Sequence, residues 1–234
     1  VDKTRRPFLE HLEELRRRIL ISAGFAVAVS AAAFLFHGIL LELVKYPMER
    51  ELVFISPAEA FFTSLKVSLL AGIVISSPFI IFQAWKFVGV ALKKKERKFI
   101  LTYFPVASIL FMLGVFFGFF GVLPSALRFL LGFGGAAISP MITVGSYVSF
   151  VFLMIIVFGI VFQLPLIMRM ATTMGLVEKK KLKESRRTAV VVIFISAAVL
   201  TPPDVFTQIA LALPVIVLYE IGIIFSAGEK KKVS

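Results

Sequence analysis

Long runs of this sequence carry almost no charge, and that pattern limits its folds more than any other feature. Six stretches, roughly 19–41, 67–85, 99–127, 147–168, 188–203 and 205–227, hold few or no ionisable side chains. A helix needs about 20 apolar residues to cross about 30 Å of hydrocarbon. The first four stretches meet that length comfortably. Of the 234 residues, 59% are hydrophobic and 17% charged, whereas soluble domains are nearer one-half and one-quarter. With 26 phenylalanines, a water-soluble globule of this size would own more apolar surface than it could bury. The absence of cysteine removes disulfide frameworks and thiolate zinc sites. An integral membrane protein remains, and its net charge of +12 has to lie outside the bilayer core.

The last two stretches are shorter. Sixteen residues separate Arg187 from Asp204, two of them Pro202 and Pro203, and fifteen separate Asp204 from Glu220. At 1.5 Å per residue such helices reach only about 22–24 Å. The fold class expected is therefore all-α: one polytopic membrane domain over 1–234, with six transmembrane helices and short fifth and sixth members. The bilayer beside them would be thinned, and the bundle concave or notched. The expected spans are about 19–41, 67–85, 99–122, 147–168, 188–201 and 207–226, after a cytoplasmic amphipathic segment at 1–18.

Orientation follows from the basic residues, which concentrate on cytoplasmic loops. Twenty-two of the 26 Lys and Arg fall in the N-terminal segment, the second–third and fourth–fifth connections, and the C-terminal tail. The other side holds Lys45, Arg50, Lys66 and Arg128. Both termini are thus expected in the cytoplasm, which an even number of spans requires. A cationic inner face also favours anionic lipid head groups and explains the basic character without nucleic acid.

The first residues show no cleavable-signal pattern. Phe8, Leu12, Leu15 and Ile19 recur at helical spacing, so residues 5–19 read as an amphipathic helix at the membrane surface. The first outer loop, about 37–66, contains Pro47 and Pro57 and is long enough for short interfacial helices. The second, around 131–143, is glycine-rich. Internal repeats are not visible. Nucleophile-elbow, zinc-protease and phosphate-loop motifs are absent, and His11 and His37 fall on opposite sides of the expected topology. Neither an enzymatic role nor a cofactor or metal is expected.

Polar groups inside apolar spans are costly and therefore informative. Gln163 in the fourth span suits either an interhelical hydrogen bond or a functional role. Glu220 in the sixth suits either a carboxylate that reaches the interface or pairs with a loop lysine, or a functional group. Asp204 follows Thr201-Pro202-Pro203 and reads as an N-cap of the sixth helix, with Gln208 one turn on. On the basic face, Glu14 precedes Arg16-Arg17-Arg18, and Glu96 follows Lys93-Lys94-Lys95. Spacing alone favours local neutralisation, such as a Glu14–Arg18 pair at i,i+4. The alternative is that these carboxylates receive a guanidinium from a partner, which they can bind bidentately.

The ordered series of motifs resembles one family. It comprises His11-Leu12-Glu13-Glu14-Leu15-Arg16, Ser56-Pro57, Phe61-Phe62 and Leu65-Lys66, then Gln83-Ala84-Trp85-Lys86-Phe87, Ala91-Leu92 and Glu96-Arg97. Ser149-Phe150 and Phe162-Gln163-Leu164-Pro165 follow, and then Leu200-Thr201-Pro202-Pro203-Asp204-Val205-Phe206-Thr207-Gln208, Leu213-Pro214 and Glu220-Ile221-Gly222. On this layout the chain resembles TatC, the core receptor subunit of the twin-arginine protein translocase.

The resemblance implies a scaffold that binds signal peptides bearing two consecutive arginines on folded cargo. It implies assembly with single-span TatA- and TatB-type partners, a possible homo-oligomer in the receptor complex, and transport driven by the proton motive force across a prokaryotic inner membrane. By that resemblance Glu14 and Glu96 receive the arginine pair, and Arg16, Phe87 and Arg97 shape the same site. Thr201, Asp204 and Gln208 match the region where partner helices dock, and Pro47 matches a functional loop proline. The apolar part of the signal would follow a concave helix surface containing Gln163.

Two positions depart from the family pattern. Gln163 stands where the family has glutamate, keeping size and hydrogen bonding but not ionisation. Val90 stands where the family usually has proline. Two other classes compete with the receptor reading. A proton-coupled secondary transporter of a small solute would use ionisable groups near the midplane, and only Gln163 and Glu220 offer themselves, with no cationic partner in view. An insertase for unfolded membrane proteins would need no paired arginines.

Overall fold

The computed structural model describes residues 5–48, 50–90, 98–132, 141–200 and 204–227, with side chains for 12–48, 50–87, 103–132, 141–200 and 204–227. The described residues are helical almost throughout. In chain order the helices are α1 (Arg5–Phe34), α2 (His37–Lys45), α3 (Pro57–Val90) and α4 (Lys98–Phe116). A π-helical turn (Phe117–Val122) leads into α5 (Leu123–Gly132). Then come α6 (Val144–Val161), α7 (Leu164–Thr173), α8 (Lys179–Glu184), α9 (Arg186–Leu200) and α10 (Val205–Phe225).

Among the described residues, five helical segments are long and apolar enough to cross a membrane: Leu12–Phe34, Pro57–Phe87, Tyr103–Gly132, Val144–Thr173 and Val205–Phe225. Only 11–39% of each apolar window is buried, so most apolar side chains face outward. Leu20, Val27, Ile75, Ile109 and Val199 are all more than half exposed. Water would penalise such a surface, whereas hydrocarbon does not.

Several boundaries differ from the sequence expectation. The amphipathic segment and the first apolar stretch form one continuous helix, α1, because no breaker lies between them. A short helix, α2, forms within the stretch expected as the first outer loop. Helix α9, in the fifth apolar stretch, has 15 residues, about 22 Å, and falls short of the five membrane-crossing lengths. Helix α10 corrects the expectation for the sixth: it has 21 residues, about 31 Å. Glu220 does not end it: the helix continues to Phe225, and Arg186 Nη2 donates to the Glu220 carboxylate at 2.7 Å.

The chain divides into two compact units. The first draws on Val1–Tyr46, Arg50–Met112 and Ile142–Phe152. Its centre is the antiparallel pair α1 and α3. Gly72 lies directly against Ser30, and a Cβ there would sit 2.7 Å from the Ser30 Cα. The glycine lets the two backbones approach, as small residues do in membrane helices. Further along, the Phe25 and Phe79 rings meet with centroids 4.4 Å apart. Pro78 inside α3 has no N–H for the Val74 carbonyl, and the Ser77 hydroxyl donates to that carbonyl instead, at 2.7 Å.

At its N-terminal end α3 is fixed by a capping box, Ser56-Pro57-Ala58-Glu59. The Glu59 N–H donates to Ser56 Oγ at 3.2 Å, and the Glu59 carboxylate accepts from the Ile55 N–H at 2.9 Å. Its other oxygen accepts from the Gly145 N–H at 2.9 Å, tying the start of α3 to the start of α6. Val53 exchanges backbone hydrogen bonds with Ile142 and Val144, and the buried Tyr147 hydroxyl donates to the Val44 carbonyl at 2.7 Å.

The second unit draws on Pro47–Glu49, Leu113–Met141 and Leu153–Ser234. Gly114 and Gly118 lie against Phe158, which is fully buried; a Cβ at Gly114 would overlap the Phe158 carbonyl. The Phe129 and Phe206 rings stack at 3.8 Å, joining α5 to α10. Gly222 of α10 packs on Pro165 and Met168 of α7.

Candidate functional site

The strongest concentration of chemistry lies where the N-terminal half of α1 meets the C-terminal half of α3. Glu14 and Arg18 stand one helical turn apart, so their side chains share a face. Arg18 Nη2 donates to the Glu14 carboxylate, and Nη1 donates across to Gln83 Oε1 of α3 at 2.9 Å. The Arg18 side chain is 11% exposed and that of Glu14 28%. Arg18 Nε is buried without a hydrogen-bond partner among the described residues. Arg16 and Arg17, on the same helix, are exposed.

An apolar groove of about 460 Å³ opens beside this network. Leu15, Ile19 and Ala23 line it from α1; Ile80, Ala84 and Phe87 line it from α3. Arg18 and Gln83 supply its polar groups together with Ser22. A carboxylate whose guanidinium partner lines an apolar trough suits a ligand with a guanidinium followed by an apolar segment.

Of the expected site residues, the structure brings Glu14 and Phe87 to this region, with Phe87 half-buried and Arg16 exposed nearby. Glu96, Arg97 and Thr201 lie outside the described residues. The Glu14–Arg18 pair read from spacing is present, while its extension to Gln83 had no signal in either helix alone.

The remaining candidates fall elsewhere. Asp204 is the N-cap of α10: its carboxylate accepts from the Thr207 N–H at 2.7 Å and from the Thr207 hydroxyl. Gln208 Nε2 donates to the Phe194 carbonyl at 3.0 Å, linking α10 to α9. Gln163 occupies the break between α6 and α7, half-buried, where Pro165 prevents the fourth apolar stretch from continuing as one ladder. Pro47 follows α2 and is half-buried. Glu220 pairs with a cation, which is Arg186 at the start of α9 where a lysine was expected, and both side chains are about half exposed.

Sequence reasoning overlooked Glu59. Its signal, serine followed three residues later by glutamate ahead of an apolar run, was present in Ser56–Glu59.

Among the described residues, no cluster of His, Asp or Glu could hold a metal. The arrangement defines a class first: a multi-pass α-helical membrane protein. Residues 10–214 match the family described as Sec-independent protein translocase protein (TatC). The chain is 43% identical to the Sec-independent protein translocase protein TatC of Carboxydothermus hydrogenoformans, over 95% of this chain and 93% of that one. It is 37% identical to that of Aquifex aeolicus, over 97% and 98%. A crystal structure described as the twin arginine translocase receptor TatC superposes with TM-score 0.83 at 36% identity, covering 92% of this chain and 97% of that one. The chain belongs to the TatC family of protein translocases. That membership, with the exposed Glu220–Arg186 pair, leaves the small-solute transporter without support.

Proposed function

We propose that this chain is the receptor that takes twin-arginine signal peptides, and that the α1–α3 end is where the arginines are read. The observation that carries this is the Glu14 carboxylate engaged with the Arg18 guanidinium, which itself lines an apolar groove. A site that holds its own arginine has the geometry to hold another's. Glu14 and Glu96 receive the two arginines, with Arg16, Phe87 and Arg97 shaping the pocket. Surrounding cations repel peptides that lack a fitted pair, so local geometry rather than net field sets recognition.

The N-terminal ends of α1 and the tail lie in the cytoplasm, and α9 supplies a sixth, short crossing of a prokaryotic inner membrane. The charge asymmetry of the loops supports this. Thr201, Asp204 and Gln208, at the α9–α10 turn, serve the docking of single-span TatA- and TatB-type partners. Pro47, Gln163 and Glu220 act through backbone geometry and polar contacts within the membrane domain.

The test is binding of a labelled signal peptide to the purified protein in detergent. An Arg-Arg peptide is compared with its Lys-Lys counterpart, on the unaltered protein and on Glu96→Ala. Loss of binding on either change is the expected result. Equal binding in all four pairings would sink the receptor reading and revive the insertase.

A further inference from the structure

We propose that α2 lies flat in the leaflet opposite the Glu14–Arg18 end, with one face seated among phospholipid acyl chains. By the orientation proposed above, this is the outer leaflet. The level of the hydrocarbon comes first. Lys66 and Lys86 are both exposed on α3, and no charged residue lies between them. The step from position 66 to position 86 is 20 residues, or about 30 Å of helix, the thickness of a hydrocarbon core. Helix α1 marks the same slab. From Arg18 to His37 the chain carries no charge between, and α1 runs antiparallel to α3, with Arg18 beside Gln83 and Ser30 beside Gly72. Continuing that register sets Leu35 and Phe36, the turn after α1, level with Lys66.

Both ends of α2 are held at that level. His37 follows the turn directly, and the last turn of α2 is fixed by the Tyr147 hydroxyl, which donates to the Val44 carbonyl. Tyr147 stands on α6 two residues from Ser149, whose hydroxyl accepts from Lys66 Nζ at 2.8 Å. A helix whose two ends share the level of Lys66 runs along the boundary and does not cross it. The exposure of its side chains agrees. Val44 is buried, whereas Leu35, Ile39, Leu43 and Tyr46 are each more than half exposed. Positions 35, 39, 43 and 46 recur at helical spacing and make one stripe. His37, Glu42 and Lys45 are exposed on the same short helix. Through Leu35 and Phe36 the stripe continues the exposed apolar surface of α1 at Val27. Water penalises such a face, and acyl chains do not. An apolar stripe with polar flanks and a tyrosine at its end is the pattern of a helix lying in a membrane interface.

The chain contains no cysteine, so one substitution places a spin label at one chosen position. Ile39→Cys, Leu43→Cys, Lys45→Cys and Ile75→Cys are labelled and reconstituted into phosphatidylcholine–phosphatidylglycerol vesicles. Ile75, exposed and nine residues deeper along α3 than Lys66, reports the hydrocarbon. Broadening by dissolved oxygen, which enters lipid, is compared with broadening by a nickel chelate present in the water on both sides. Labels at 39 and 43 are expected to lose nickel broadening and gain oxygen broadening relative to 45, moving toward the values at 75. Equal nickel broadening at 39, 43 and 45 would put the stripe in water and overturn the proposal. Labels at 39 and 43 shielded from both reagents would mean that a second copy of the chain covers the face, which also overturns it. Should a labelled variant not reconstitute, the unaltered protein is irradiated in vesicles of a phospholipid with a photoreactive group on the acyl chain beside the glycerol. Adducts within 35–46 are then expected, and adducts confined to 19–34 and 67–85 would overturn the proposal. Neither readout involves a signal peptide, so failure here is separable from failure of the receptor reading.

Discussion

The two ends of α3 hold a glutamate in opposite ways. At its start, Glu59 spends both carboxylate oxygens on backbone N–H groups, those of Ile55 and Gly145. Near its other end, the carboxylate of Glu14 on α1 is held among the described residues by a side chain, that of Arg18, whose second anchor is Gln83. Backbone donors cannot leave without unfolding what they belong to, whereas a guanidinium can rotate away and be replaced. An acid bound by backbone is architecture, and an acid bound by a side chain is available for exchange. Asp204 belongs with Glu59, since it accepts from the Thr207 N–H. Glu220, bound to Arg186, belongs with Glu14.

The comparison breaks most visibly if the two glutamates of the first unit are exchanged in behaviour. Glu14→Ala should lower Arg-Arg peptide binding by tenfold or more, on the order expected for a lost charge-assisted partner, with the thermal midpoint in detergent nearly unmoved. Glu59→Ala should do the reverse: peptide binding is kept, and the midpoint drops as the starts of α3 and α6 come apart. A Glu59 variant that lost binding at an unchanged midpoint would end the distinction.

A finer division comes from Asp204. Asp204→Ala should cost about 1 kcal/mol of stability, the usual worth of an N-cap, and Asp204→Asn should recover most of it because asparagine caps nearly as well. Denaturation of the two variants in detergent checks this. If partner capture fails in Asp204→Asn at full stability, the charge serves docking in addition to the cap.

The smallest effect belongs to the exposed pair. Arg186→Gln should change stability by less than about 1 kcal/mol, read as a midpoint shift of a few degrees at most. A larger loss would mean that α10 depends on that pair to run past Glu220.

What the sequence made legible follows from where charge carries information. Most apolar stretches became helices long enough to cross a membrane because a charge cannot hide in them. The same logic made α10 look short, because it counted length only between Asp204 and Glu220, and an ionisable side chain within a helix does not end it. The i,i+4 pair Glu14–Arg18 was visible because both members share a helix. Gln83 was not, because the antiparallel register of α1 and α3 is set by Gly72 against Ser30 and by ring contacts that no local pattern encodes. The capping box at Ser56–Glu59 was legible in principle, yet the link from Glu59 to Gly145, 86 positions away, was not. Gln163 was placed inside one long apolar span, and Pro165 divides that stretch into α6 and α7.

The π-helical turn at Phe117–Val122 also sets an angular phase. The Leu123 N–H reaches back to the Gly118 carbonyl, five residues earlier, so the turn holds one residue more than an α-helical turn. Each residue of an α-helix rotates the chain by about 100°, and everything beyond the turn is advanced by that much. Phe129 meets Phe206 in this advanced phase. The extra residue works like a spacer on a shaft: it leaves the axis running on but decides which side of α5 carries the aromatic contact to α10.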